Sequence, residues 1–225
     1  MNHQEIIDAI DYSISTLCKK FQNQPTLFYT ENDIVCYIYS ILQEKLHFKE
    51  INDQDKKKHF LVHREYPTPF RCDMGENKFE IKDDEARTKN GGKYQRGHYD
   101  IVVLNPDFIK QKTYEEIKAQ DYELYKNGVI DQIEKYKPII LYGIEFMYSR
   151  DPMKFSRGDK KEKGIDDFVA KIIQDADKLI ASKEYNGLMD KIKVLVFVKG
   201  SKKEIQSLIK EKLIQRDEIT VCFSG

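Results

Sequence analysis

Arg96-Gly97-His98-Tyr99-Asp100-Ile101-Val102-Val103-Leu104 sets one acidic residue at the head of an apolar, β-branched run. Such residues pack well on a pleated surface, so a strand is expected here, closed by Asn105-Pro106. Pro138-Ile139-Ile140-Leu141-Tyr142-Gly143-Ile144-Glu145-Phe146 has the same character and ends near a second acid. Two adjacent strands, each presenting a carboxylate near one sheet edge, can hold a hard divalent cation. Mg²⁺ takes one or two carboxylates and completes its shell with waters and phosphate oxygens.

Upstream, Ile6, Ile7, Ile10, Ile14 and Leu17 recur at helical spacing, and the helix should end near Phe21, before Gln24-Pro25. Thr30 with Asp33 three residues on reads as a capping-box variant opening a second helix, with Glu31 in its first turn. Phe60 to Tyr66 is expected to be a short strand stopped by Pro67 and Pro69, which lack a ladder donor. The polar stretch from Cys72 to Gln95 suits a loop or a hairpin carrying Lys78-Phe79-Glu80-Ile81, with its turn at Gly91-Gly92.

Downstream, a helical insertion is expected around 110–137, followed by the strand that ends near Glu145. A basic loop over 149–158 contains Arg150, Lys154 and Arg157. Ile165, Phe168, Val169, Ile172, Ile173, Ala176, Leu179 and Ile180 then describe one face of a long helix. Lys193-Val194-Leu195-Val196-Phe197-Val198 reads as a strand buried on both faces. Ser201 is expected to cap a last helix, and Ile219 to Phe223 to form a terminal strand. Three consecutive strands followed by a helical crossover favour a mixed sheet between helical layers, an α/β domain.

At 225 residues the chain suits a single domain over 1–225. Its 38 Lys and Arg balance 38 Asp and Glu, so a polyanion site must be a local basic patch. Cys18, Cys36, Cys72 and Cys222 show no CxxC pairing and no zinc-ligand cadence with the five histidines, which points to reduced thiols. The first residues lack a basic and apolar leader, and no apolar run is long enough to span a bilayer, so a soluble, cytoplasmic protein is expected. No phosphate-binding glycine loop, G-x-G-x-x-G or G-x-S-x-G elbow is present, which lowers the prior on nucleotide-cofactor enzymes and serine hydrolases.

With this element order the chain resembles the PD-(D/E)XK nuclease superfamily, whose restriction-endonuclease-like fold has an αβββαβ core. The resemblance covers roughly residues 31 to 198. Asp100 matches the metal-binding Asp of the second core strand, and Glu145 matches the acid of the acid-x-Lys on the third. Glu31 matches the acid that many relatives supply from the helix before the first strand, and Glu65 is a further helper. The phrase Gln174-Asp175-Ala176-Asp177-Lys178-Leu179 looks like the segment that follows the motif in bacterial members.

Met147 stands where the family has its lysine. It can neither stabilise an anionic transition state nor orient an attacking water. Some members supply the lysine from the following helix, and Lys171 and Lys178 share one face of that helix with Asp175.

The resemblance implies a Mg²⁺- or Mn²⁺-dependent endodeoxyribonuclease that hydrolyses DNA phosphodiester bonds, in a homodimer by the same likeness. Asp100 and Glu145, with Lys178 or Lys171, would be catalytic, and Asp100, Glu145, Glu65 and Glu31 would hold the metal. Arg96, His98, Arg150, Lys154 and Arg157 are the candidate nucleic-acid contacts, with Tyr148 and Phe155 as stacking surfaces. The alternative is an inactive protein of the same fold that binds nucleic acid or a protein partner. Each residue also has a plainer explanation: Glu31 compensates a helix dipole, Glu65 pairs with Arg64 or Arg71, and Lys178 is solvated.

Overall fold

Ile6, Ile10, Ile14, Leu17 and Phe21 form a buried stripe along helix α1 (His3–Asn23), which Asn2 and Glu5 close with a reciprocal capping box. The computed structural model describes residues 2–45, 50–73, 79–82, 95–118, 122–135, 138–150, 161–185 and 187–224. Helix α2 (Glu31–Lys45) begins as the capping pattern requires: Thr30 N–H donates to Asp33 Oδ2 at 2.8 Å, and Asp33 N–H to Thr30 Oγ1 at 3.2 Å.

The chain then makes a small hairpin, β1 (Ile51–Asn52) with β2 (Lys58–His59). Its turn encloses a buried pair, Asp53 Oδ2 with His59 Nε2 at 2.8 Å. Strand β3 (Val62–Asp73) follows, with β4 (Glu80–Ile81) on its outer edge. Next come β5 (Gln95–Leu104) and the helices α3 (Pro106–Gln111), α4 (Tyr114–Ile117) and α5 (Tyr122–Lys135). The remainder is β6 (Ile140–Ser149), α6 (Lys161–Glu184), β7 (Met189–Val198), α7 (Lys203–Lys212) and β8 (Ile219–Phe223).

The main sheet has six strands in the order β4-β3-β5-β6-β7-β8. Those from β4 through β6 pair antiparallel, whereas β6, β7 and β8 run parallel. Helices cover both faces, as strand alternation in β6 shows. Tyr142 donates to Asp11 of α1, while the next residue, Gly143, faces Leu179 of α6.

Gly143 marks the tightest approach between β6 and the α6–β7 layer. A Cβ there would lie 2.7 Å from Met189 Sδ and 3.3 Å from Leu179 Cδ2, in a fully buried setting. Gly143→Val should therefore lower unfolding free energy by about 1–3 kcal/mol, the usual range for overpacking, read by chemical denaturation.

Several sequence expectations need correction. The prolines do not stop β3: Pro67 pairs with His98, and a register shift between Pro67 and Arg71 absorbs the lost donors. Asp100 and Glu145 are not strand ends, since β5 starts at Gln95 and β6 continues to Ser149. The helical insertion starts at Pro106, where Asn105 Oδ1 caps Asp107 N–H at 2.9 Å. Lys202, not Ser201, occupies the N-cap of α7. The expected turn at Gly91-Gly92 lies outside the described residues.

All four cysteines are free thiols, yet Cys18 of α1 and Cys222 of β8, remote in sequence, are hydrogen-bonded neighbours. That contact holds the Cys18 thiol below its ordinary pKa and pushes Cys222 up. Among the described residues no helix is long and apolar enough to cross a membrane.

Candidate metal centre

The sheet forks at Asp100. Strands β5 and β6 pair from Leu104↔Ile140 to Ile101↔Ile144 and no further, while β5 stays with β3 and β6 stays with β7 through Ser149↔Val198. Along β6 the N–H groups of alternate residues face the fork and need acceptors. Carboxylates supply them. Asp100 Oδ2 accepts from Phe146 N–H at 2.7 Å, and Glu31 Oε2 accepts from Tyr148 N–H at 2.9 Å.

Opposite them, α6 drives Lys178 into the gap, with the residue 5% exposed. Its ammonium lies 2.7 Å from Glu145 Oε1 and donates to the His98 carbonyl of β5 at 2.9 Å. The Glu145 contact is a buried ion pair, with the two side chains 6% and 4% exposed. One further bond fixes this part of α6 to β5, Tyr99 Oη donating to Ser182 Oγ at 2.8 Å, while Ser182 Oγ donates within the helix to the Lys178 carbonyl at 2.6 Å.

The sequence-predicted acids therefore meet. Asp100 and Glu145 are close enough to hydrogen-bond through their carboxyls, and both Asp100 and Glu31 feel the charge of Glu65. Glu65 itself is exposed and adopts a left-handed φ of 50°, an uncommon conformation for a side chain of this type in a strand. Lys171, on the exposed side of α6, acts electrostatically on Asp175.

Asp175 belongs to the cluster although it was expected only to share a helix face with the lysines. The signal was present, because Asp175 lies three residues before Lys178 and four after Lys171, which puts all three on one side of a helix.

Other candidates lie elsewhere. Arg96 Nε donates to the Thr68 carbonyl at 3.0 Å and its guanidinium carbon sits 5.3 Å from the Tyr125 ring centroid, which ties it into the β3–β5–α5 packing. His98 contributes its carbonyl to Lys178 and is exposed. Arg150 is exposed just beyond β6, where its charge partly opposes the burial that raises the Tyr148 pKa. Lys154, Phe155 and Arg157 lie outside the described residues. Met147 is half-buried at the next position after Glu145 on the same strand face.

Burial dominates the electrostatics. Burial, and then repulsion from Asp100 and Asp175, raise Glu145 well above the ordinary glutamate value, against the pull of Lys178. Asp100 is raised by burial, with Phe146 N–H and Lys178 opposing. Asp175 is pushed up to about 6 by burial, although Lys178 opposes that shift. Glu31 also rises to about 6, from desolvation and from Asp100, although as an exposed residue its shift is screened by solvent. Burial opposes charge on Lys178, but Glu145, Asp175 and Asp100 outweigh it and hold its pKa above the ordinary lysine value.

Among the described residues no three His, Cys, Asp or Glu side chains form a complete metal cage. The neighbouring Asp100 and Glu145 carboxyls nevertheless fit Mg²⁺ or Mn²⁺, which take one or two carboxylates and complete their shell with water.

A pH dependence follows. Glu31 and Asp175 have folded pKa values of about 6, above their ordinary values of 4.5 and 3.8. Their contribution to stability is therefore fully present below the unfolded values and lost as pH rises through about 6. A divalent cation offsets that loss, so the Mg²⁺-induced rise in thermal midpoint should be larger near pH 8 than near pH 5. An equal rise at both would show that the cluster is not where the ion binds.

Compared with known protein families, curated proteins and solved structures, the chain matches none.

Proposed function

We propose that the fork is the active site of a metal-dependent nuclease of the PD-(D/E)XK type that hydrolyses DNA phosphodiester bonds, with the motif lysine supplied from α6. The observation that carries this reading is the Lys178 ammonium 2.7 Å from Glu145 Oε1, beside Asp100. In this reading a lysine from the next helix supplies the charge that Met147 lacks. The element order α2-β3-β5-β6-α6-β7, which leaves out the small β1–β2 hairpin, the edge strand β4 and the helical insertion, has the α-β-β-β-α-β sequence of that superfamily's core.

Asp100 and Glu145 are the residues that would hold Mg²⁺ or Mn²⁺, with Glu31 and Glu65 flanking them. Bound there, such an ion would supply an activated water and neutralise phosphate charge. Lys178, oriented by the His98 carbonyl, places fixed positive charge where the scissile phosphate gains negative charge. Burial makes that charge more effective, since few waters screen it. Asp175 and Lys171 are positioning groups at the same helix face.

Met147 favours a second reading, a nuclease-fold protein that binds nucleic acid or a protein partner without cleaving. Incubating the purified chain with circular and linear DNA, single- and double-stranded, separates the two. Cleavage that needs Mg²⁺ or Mn²⁺ and stops with EDTA supports the nuclease. DNA binding with no cleavage in either metal selects the second reading. Sedimentation of the active species tests the homodimer that the same resemblance implies.

A further inference from the structure

Next to the fork lies a recess of about 440 Å³, lined by Met147, Tyr148 and Ser149 from the end of β6 and by Gly164, Asp167, Phe168 and Lys171 from the first turns of α6. Its position is continuous with the acids. Met147 is two residues beyond Glu145 on the same strand face, and Lys171 is one helical turn before Asp175. The recess is amphipathic: Met147 and Phe168 are half-buried apolar groups, whereas Lys171 and Asp167 are exposed and of opposite charge.

We propose that this recess seats one unpaired nucleotide next to the scissile phosphate, so that the substrate of the site is a DNA strand with single-stranded character at the cut. The inference rests on the nuclease reading of the fork and specifies its substrate.

Size is the first argument. A volume of about 440 Å³ is on the scale of one nucleotide, and a base must leave its stack and its pairing partner to occupy it. A single base with its sugar fits, since pockets of roughly 300–1,000 Å³ are the ordinary range for ligands of that size.

Chemistry is the second argument. An unstacked base needs a flat or yielding apolar surface, and single-strand sites supply it with aromatic side chains beside a cation for the backbone. Phe168 is the aromatic surface, Met147 a polarisable and adaptable floor, and Lys171 the cation. A lysine at position 147 would place a hydrated ammonium on that floor. Moving the catalytic charge to Lys178 leaves the strand position free for methionine, and the departure from the family pattern at Met147 becomes part of the substrate site.

Fluorescence anisotropy with the full-length chain in EDTA tests the proposal without relying on catalysis. The probes are a labelled single strand about 12 nucleotides long, the blunt duplex of the same sequence, and single strands with one abasic position moved along the chain. The single strand should bind at least tenfold more tightly than the duplex, and one abasic position should cost about tenfold while its neighbours cost little. Phe168→Ala should remove about tenfold of the single-strand affinity and leave the duplex unaffected. Met147→Ala, a truncation at a half-buried position, should likewise cost the single strand alone if the phenylalanine variant does not fold. Duplex binding as tight as single-strand binding, or uniform tolerance of abasic positions, overturns the pocket. Cleavage of fully paired DNA at undiminished rate would also overturn it while leaving the nuclease reading intact, whereas selective single-strand binding without cleavage would do the reverse.

Discussion

Lys178→Met is expected to abolish metal-dependent cleavage, by at least about 10²-fold, the scale for removing one preorganised charge from a transition state. The substitution keeps length and apolar stem but leaves Glu145 buried without its counter-charge. Removing one partner of a buried pair costs roughly 3–5 kcal/mol. Here the lower end applies, because the pKa of Glu145 is already raised and the group can take up a proton. The variant should stay folded at room temperature, as circular dichroism will show. The decisive measurement is the second substitution. Met147→Lys in the Lys178→Met background returns a lysine to the strand face of Glu145 and should recover part of the lost rate. Full activity of Lys178→Met alone would remove the lysine from the mechanism.

Asp100→Asn should separate chemistry from folding. Asparagine Oδ1 can still accept from Phe146 N–H, so the fork stays closed at that point and the thermal midpoint should move by only a few degrees. The negative charge is lost. Metal affinity should fall by more than the roughly 10–100-fold typical of outer-shell changes, and cleavage should fall by about 10³-fold or more. A second readout follows from repulsion: without the Asp100 charge, Glu31 and Asp175 should titrate below about 6, which carboxyl-carbon NMR can follow. Unchanged cleavage in Asp100→Asn would end the case for this site.

Much of the fold is legible in the sequence because its driving patterns are local. The stripe on α1, the cap at Thr30, the long face of α6 and the apolar run of β7 all appear where periodicity places them. The strand bounds were less legible. A run such as Gln95-Arg96-Gly97-His98 is polar, and it is held in β5 by pairing with β3, which local propensity does not reveal. The same holds for Pro67 and Pro69, whose missing donors matter only if the ladder needs them.

At the site, residue types and spacing pointed to Asp100, Glu145 and the helix lysines. They could not choose between Lys171 and Lys178, because both lie on one helix face, and only the depth at which α6 meets the fork makes the second of them the buried one. At Arg96 the sequence left the side chain's own neighbours hidden. A basic residue near an acid suggests a phosphate contact, yet its guanidinium is held by the Thr68 carbonyl beside Tyr125.

The carboxylates that terminate β-pairing at the fork carry one more implication. Asp100 and Glu31 stand in for the strand carbonyls that Phe146 and Tyr148 would otherwise need, so each acid answers to the backbone as well as to chemistry. A chain of this fold without cleavage would still need an acceptor at both positions, which an amide oxygen supplies as well as a carboxylate. Retention of an acceptor there therefore says little about activity, and it is the joint behaviour of positions 147 and 178 that distinguishes a working enzyme from a scaffold.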